Sequence, residues 1–99
     1  MMSRDEIIDI LRGSREELRR DFGVESIALF GSAARGDAGP SSDIDILVDV
    51  QRPISLFRLV ALQLRLQEIL QAPKVDVVMR DAIFPGLRER ILAEALRVA

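Results

Sequence analysis

Apolar positions over the first twenty residues fall on one side of the chain: Ile7, Leu11 and Leu18 share a stripe, with Arg and Glu on the other faces. This pattern predicts an amphipathic helix over residues 4 to 20. Ser3 followed by Glu6 has the spacing of a capping box, in which each side chain satisfies a free backbone N–H at the helix start. Asp21 to Gly23 ends the helix. Val24 to Phe30, VESIALF, is mostly β-branched or apolar between two glycines and predicts a short strand. Residues 31 to 42 carry Gly31, Gly36, Gly39, Pro40, Ser41 and Ser42, a density of turn formers that breaks any long element. A single helical turn around Ala33 to Arg35 still fits there. Ser42 to Val50 reads as a second strand, and Gln51 to Pro53 as its exit.

Residues 55 to 71, SLFRLVALQLRLQEILQ, are apolar over more than one stripe. Such a helix either packs on two sides or offers a second face to a partner. Ala72 and Pro73 stop it, and Val75 to Met79 predicts a third strand with Asp76 inside it. Pro85 suits the first turn of a last helix, with Leu87, Ile91, Leu92, Ala95 and Leu96 as its buried face. The expected architecture is α/β (α+β): one domain over residues 1–99, with a small mixed sheet of three to four strands flanked by helices.

Composition narrows the chemistry. The 99 residues include no cysteine and no histidine, which removes disulfides, thiolate chemistry, the commonest general base and the usual zinc ligands. Acid/base or metal chemistry must fall to carboxylates. A formal net charge of -2 argues against strong non-specific nucleic-acid binding as the main activity. No apolar run approaches a membrane span, and the start MMSRDEII lacks the apolar stretch of a signal peptide, so a soluble, cytoplasmic protein without a membrane partner is expected.

Against that background two aspartates stand out. Asp43 and Asp45 sit among Ile44, Ile46, Leu47 and Val48 in the second strand. Residues two apart on a strand point the same way, so both carboxylates share one side while the isoleucines face the core. An edge strand can carry such charges against aggregation. Two carboxylates at this spacing are also a natural site for Mg2+, a hard cation held by one or two carboxylates plus substrate phosphates. Asp76 can join them if the third strand lies beside the second, giving a two-metal site; Asp81 is the alternative third acid. Gly31-Ser32, at the end of the first strand, offers backbone N–H groups and a hydroxyl as a seat for phosphate. The segment GSAARGDA lacks the Gly-Lys-Ser/Thr ending of a P-loop, and the glycine spacing is wrong for a dinucleotide fold.

Gly31-Ser32, Ala34-Arg35-Gly36 and Ser42-Asp43-Ile44-Asp45 together resemble the signature of the DNA polymerase beta-like nucleotidyltransferase superfamily. The short chain and the form GSAARG…SDIDILV are similar to the minimal nucleotidyltransferases, or MNT proteins, whose usual companion is a HEPN-domain protein. The resemblance spans Val24 to Met79. It implies a polymerase beta-like fold, with Gly31, Ser32, Arg35 and Ser42 binding ATP or another nucleoside triphosphate. Asp43, Asp45 and Asp76 would hold two Mg2+ ions and act catalytically. It further implies transfer of a nucleoside monophosphate, AMP from ATP, to a hydroxyl on a HEPN toxin, making the chain an antitoxin. A module that neutralises a partner by binding alone is the alternative.

Overall fold

Ser3 opens the first helix as the spacing requires. Its Oγ accepts the Glu6 N–H at 3.2 Å, and its own N–H donates to Glu6 Oε1 at 3.3 Å. This computed structural model describes residues 3–31, 34, 44–83 and 85–98. The expected single helix over 4 to 20 is two, α1 (Arg4–Gly13) and α2 (Arg15–Phe22). Gly13 and Ser14 are poor helix formers, and the Ser14 N–H is shared between the carbonyls of Ile10 at 3.0 Å and Leu11 at 3.2 Å. That sharing tightens the turn, and the helix resumes when Leu18 N–H bonds the Ser14 carbonyl at 3.0 Å. The stripe survives the break, because Ile7, Leu11 and Leu18 are all buried. Gly23 closes α2 in the left-handed conformation at φ 71°, the geometry for which glycine carries no Cβ penalty.

The described strands are β1 (Val24–Phe30), β2 (Ile44–Val50), β3 (Val75–Met79) and β4 (Leu96–Arg97), arranged in space as β3-β2-β1-β4. β1 is antiparallel to both β2 and β4, and β3 is parallel to β2. A parallel pair needs a crossover, and α3 (Leu56–Leu70) supplies it. Ser55 caps the N-terminus of α3 by accepting the Arg58 N–H at 3.2 Å, and Gln71 ends it at φ 51°. The register divides the sheet cleanly. Ile27 and Leu29 of β1, Ile46 and Val48 of β2, and Val75 of β3 lie on the face packed with Ile7, Leu11 and Leu18 and with Leu62, Leu66 and Leu70 of α3. The opposite face carries Ser26, Ala28 and Phe30, then Asp45, Leu47 and Asp49, then Asp76 and Val78.

The C-terminal segment departs from the reading as one helix with a buried face through Leu96. Helix α4 (Pro85–Glu94) does begin at Pro85, but none of its residues is buried, and Leu87 is exposed. The chain leaves the helix after Glu94, so Ala95 and Leu96 are not on its face. Pairing with the edge of β1 takes precedence here: Leu96 aligns with Leu29, Arg97 with Ala28, and Val98 N–H bonds the Ile27 carbonyl at 2.9 Å. Val98 then enters the core, and Arg12 Nε donates to its carbonyl at 2.9 Å. The expected helical turn around Ala33 to Arg35 lies mostly outside the described residues; Ala34 is helical and packs at the core's margin. Of the second strand, Ser42 and Asp43 also lie outside them. Among the described residues no helix is long and apolar enough to cross a membrane.

Polar contacts tie the helices together over the core. Arg65 of α3 grips Glu17 of α2 with both ends of its guanidinium, at 2.5 Å from Nε and 2.8 Å from Nη2. It also pairs with Glu68 one turn along. Arg58 donates to the Asp21 carbonyl at 2.5 Å and lies over the Phe22 ring, 5.7 Å from its centroid. The bond from Arg65 is the main reason the Glu17 carboxyl sits below its ordinary value of 4.5. A carboxyl with a lowered folded pKa stabilises the fold fully above its unfolded value and loses that contribution as pH falls through the lowered one. A Glu17→Gln variant should therefore melt below wild type at neutral pH, and the two melting curves should converge as acid carries the solution through that window. In the core, Leu66→Ala should destabilise by about 2–5 kcal/mol in chemical denaturation, the range for a fully buried leucine.

Candidate active site

Asp45 and Asp76 are direct neighbours across the parallel β2–β3 pair. Partnered residues on adjacent strands point to the same face, so both carboxylates rise from the sheet side opposite the helical core. Both are partly exposed. Phe30 aligns with Asp45 from the other side, which brings the C-terminal end of β1 and Gly31 to the same edge. Like charges directly opposite one another on adjacent strands are destabilising. An aspartate on each strand is the costly choice unless a cation or a proton donor serves both.

Gly31 shows how tightly this corner is built. Its φ is +67°, a conformation that disfavours any side chain. A Cβ placed there would collide with Asp45 Oδ2 and lie 3.4 Å from Asp45 Cγ. The glycine thus makes room for the Asp45 carboxylate at the strand end. This role differs from the close approach to phosphate inferred from the sequence, and it was not legible there. Only the pairing of Phe30 with Asp45 brings the two into contact.

The remaining expected site residues divide as follows. Asp43, Ser32, Arg35 and Ser42 lie outside the described residues. Asp81 lies on the single 3-10 turn Arg80–Ala82, beyond the far end of β3. Three strand residues separate Asp76 from that end, so Asp81 is about 10 Å or more from the Asp45 level. The geometry therefore brings Asp76, and not Asp81, beside Asp45. Among the described residues no group of three metal-ligating side chains is gathered. The two that are gathered are hard oxygen donors, and one or two carboxylates completed by phosphate oxygens and water is the donor set Mg2+ favours. The residues present fit that ion.

The same sheet face continues into a cavity of about 150 Å³ walled by Ala28, Leu47 and Leu92, with Asp49, Arg80 and Arg97 among its polar lining. Leu47 and Asp49 continue the alternation begun at Asp45, and Arg80 Nη1 stands 3.8 Å from Asp49 Oδ2. The period-two run Asp45, Leu47, Asp49 was the available signal for this surface. Arg97 could not be placed on it before β4 was seen to pair with β1.

Four likenesses to known proteins bear on this arrangement. The profile of the nucleotidyltransferase domain family matches residues 11–98. Protein adenylyltransferase MntA of Thermococcus cleftensis is 39% identical over 98 residues, covering 99% of this chain and 98% of that protein. Among solved structures, one provisionally identified as a minimal nucleotidyltransferase superposes with a TM-score of 0.73 at 36% identity, over 90% of this chain and 93% of the other. A toxin–antitoxin structure with AMP-PNP has a TM-score of 0.74 at 23% identity, over 99% of this chain and 73% of that one, a likeness of fold.

Replacing Gly31 with alanine tests the corner directly. Gly31→Ala should destabilise by at least about 1 kcal/mol from its left-handed φ alone, with a further loss from the clash with Asp45. In an Asp45→Ala background the clash is gone, and the cost should fall by more than about 0.5 kcal/mol, a coupling that denaturant titrations of the four proteins resolve.

Proposed function

Since the chain belongs to the nucleotidyltransferase domain family, matched over residues 11–98, we propose that it transfers AMP from ATP to a hydroxyl of a protein partner with a divalent metal at Asp45 and Asp76. The observation that carries this reading is the in-register pairing of those two aspartates on the sheet face opposite the helical core. The relative from Thermococcus cleftensis carries the name protein adenylyltransferase, which supports AMP as the group moved and a protein as the acceptor. The toxin–antitoxin neighbour with AMP-PNP supports a toxin as that acceptor, and the resemblance to the minimal nucleotidyltransferases supports a HEPN-domain protein in the role, with this chain as its antitoxin.

The residues divide the work. Asp43 and Asp45, with Asp76 as the third acid, would hold Mg2+. When bound, the metal lowers the pKa of an attacking hydroxyl and offsets charge on the leaving phosphates. Asp76 would help remove the acceptor hydroxyl's proton as the new P–O bond forms at the α-phosphorus and the bond from that phosphorus to pyrophosphate breaks. Gly31 keeps Asp45 clear of its own backbone, and Gly31 with Ser32 receives the triphosphate tail, with Arg35 and Ser42 adding donors. Pyrophosphate departs on that side. No histidine takes part, since the chain has none.

Transfer of label from α-labelled ATP to a purified HEPN-domain partner, in the presence of Mg2+, tests the proposal. Wild type should label the partner, and Asp45→Asn or Asp76→Asn should reduce labelling by about 100-fold or more, the scale of several kcal/mol of lost charge stabilisation. Asp81→Asn, away from the pair, should label as wild type does. Labelling that survives both single substitutions would contradict the assignment. Suppression of the partner's toxicity by an inactive Asp45→Asn protein would favour a module that acts by binding alone.

A further inference from the structure

Helix α3 buries Leu62, Leu66 and Leu70 completely against the sheet, yet its outward side is also apolar. Leu56 is 74% exposed, Phe57 89%, Val60 46% and Leu64 59%, with Ala61 exposed among them. Residues 56, 60 and 64 follow the four-residue helical ridge, and Phe57 and Ala61 lie beside it. Beyond Leu64 this side turns polar, with Gln67, Glu68 and Gln71. The patch thus occupies the first two-thirds of the helix and then stops.

We propose that this face is the interface of a homodimer, in which α3 packs antiparallel against α3 of a second copy about a two-fold axis between Val60 and Ala61. Four features of the helix favour that occupant. Most of the patch is self-complementary: the axis sets Phe57 opposite Leu64 of the second copy and Val60 opposite its Ala61, whose small side chain lets the helices approach. It sets Leu56 beside the aliphatic stem of the second copy's Arg65. The same register carries Glu68 to the N-terminal end of the other α3. That end has no acidic residue in its first turn and follows the exposed Arg52, and the last turn of α3 has no basic residue. A carboxylate is favoured at a helix N-terminus, so Glu68, which also pairs with Arg65 of its own chain, flanks the apolar centre on both sides. The area is sufficient: four large side chains this exposed offer roughly 500 Å² per copy, the upper range for a patch on a monomer, and a pair would remove about 1,000 Å², the threshold for a specific interface. Finally, α3 lies on the sheet side opposite Asp45 and Asp76. The dimer therefore leaves both candidate active sites facing outward, and the proposal holds whatever group those sites transfer.

Sedimentation or light scattering of the full chain tests it. At about 100 μM, where an interface with a Kd of roughly 10 μM is mostly formed, wild type should show twice the chain mass of 11.1 kDa. Phe57→Glu and, separately, Leu64→Gln should return it to the single-chain mass while keeping the wild-type circular dichroism spectrum, because both positions are solvent-facing in the single chain. A wild type that stays at single-chain mass overturns the proposal. So does a dimer that both variants leave intact, since it must use another face. A monomeric wild type whose HEPN-domain partner binds only while Phe57 and Leu64 are present would also overturn it and assign the face to that partner.

Discussion

The in-register parallel pairing of β3 with β2 is the constraint on which the rest depends, because it forces Asp45 and Asp76 together. Two like charges on adjacent strands work against the sheet. The other face of the same strands supplies far more. Ile46, Val48 and Val75 are buried to 1% exposure or less, as are Leu62, Leu66 and Leu70 above them, and each such side chain contributes about 1.5–3 kcal/mol. A one-residue slip of β3 would move Asp76 into that core and Val75 and Val77 out of it. Burial on one face therefore holds the carboxylates in place on the other.

This division also explains how so short a chain carries a site. α1, α2 and α3 all pack on one side, so stability is concentrated there and the other side is left to carry the two aspartates. α4 contributes no buried residue, and β4 is two residues long. Their part is to flank the aspartate-bearing face: Leu92 of α4 and Arg97 of β4 line the cavity farther along the same side of the sheet. Gly31 completes the corner at the opposite end, where chain direction and the need for space beside Asp45 coincide in one residue.

Much of this was legible in the sequence where local pattern and tertiary demand agree. β1 and β3 span the residues that apolar runs between breakers indicated, and Ser3 with Glu6 forms the capping box its spacing implies. The two sides of α3 were legible as a surplus of leucines, although which side faced solvent was not. The break at Ser14 was hidden because Ile7, Leu11 and Leu18 keep their stripe across it. β4 was missed because Leu96 continues a helical apolar pattern, and only the unpaired edge of β1 draws it into the sheet. At the candidate site, Asp45 and Asp76 were recognisable as charges inside apolar strands. Their adjacency, the exclusion of Asp81 from it and the steric role of Gly31 depend on strand order and register, which no local pattern encodes.

The central claim is that Asp45 and Asp76 share a divalent cation that engages the nucleotide. Crystals of the protein soaked with Mn2+ and a non-hydrolysable ATP analogue test it most directly through anomalous scattering. The account predicts a peak bridged by the two carboxylates and in contact with phosphate oxygens. Bound analogue with its metal held elsewhere, and Asp45 and Asp76 left out of its coordination, would contradict the account.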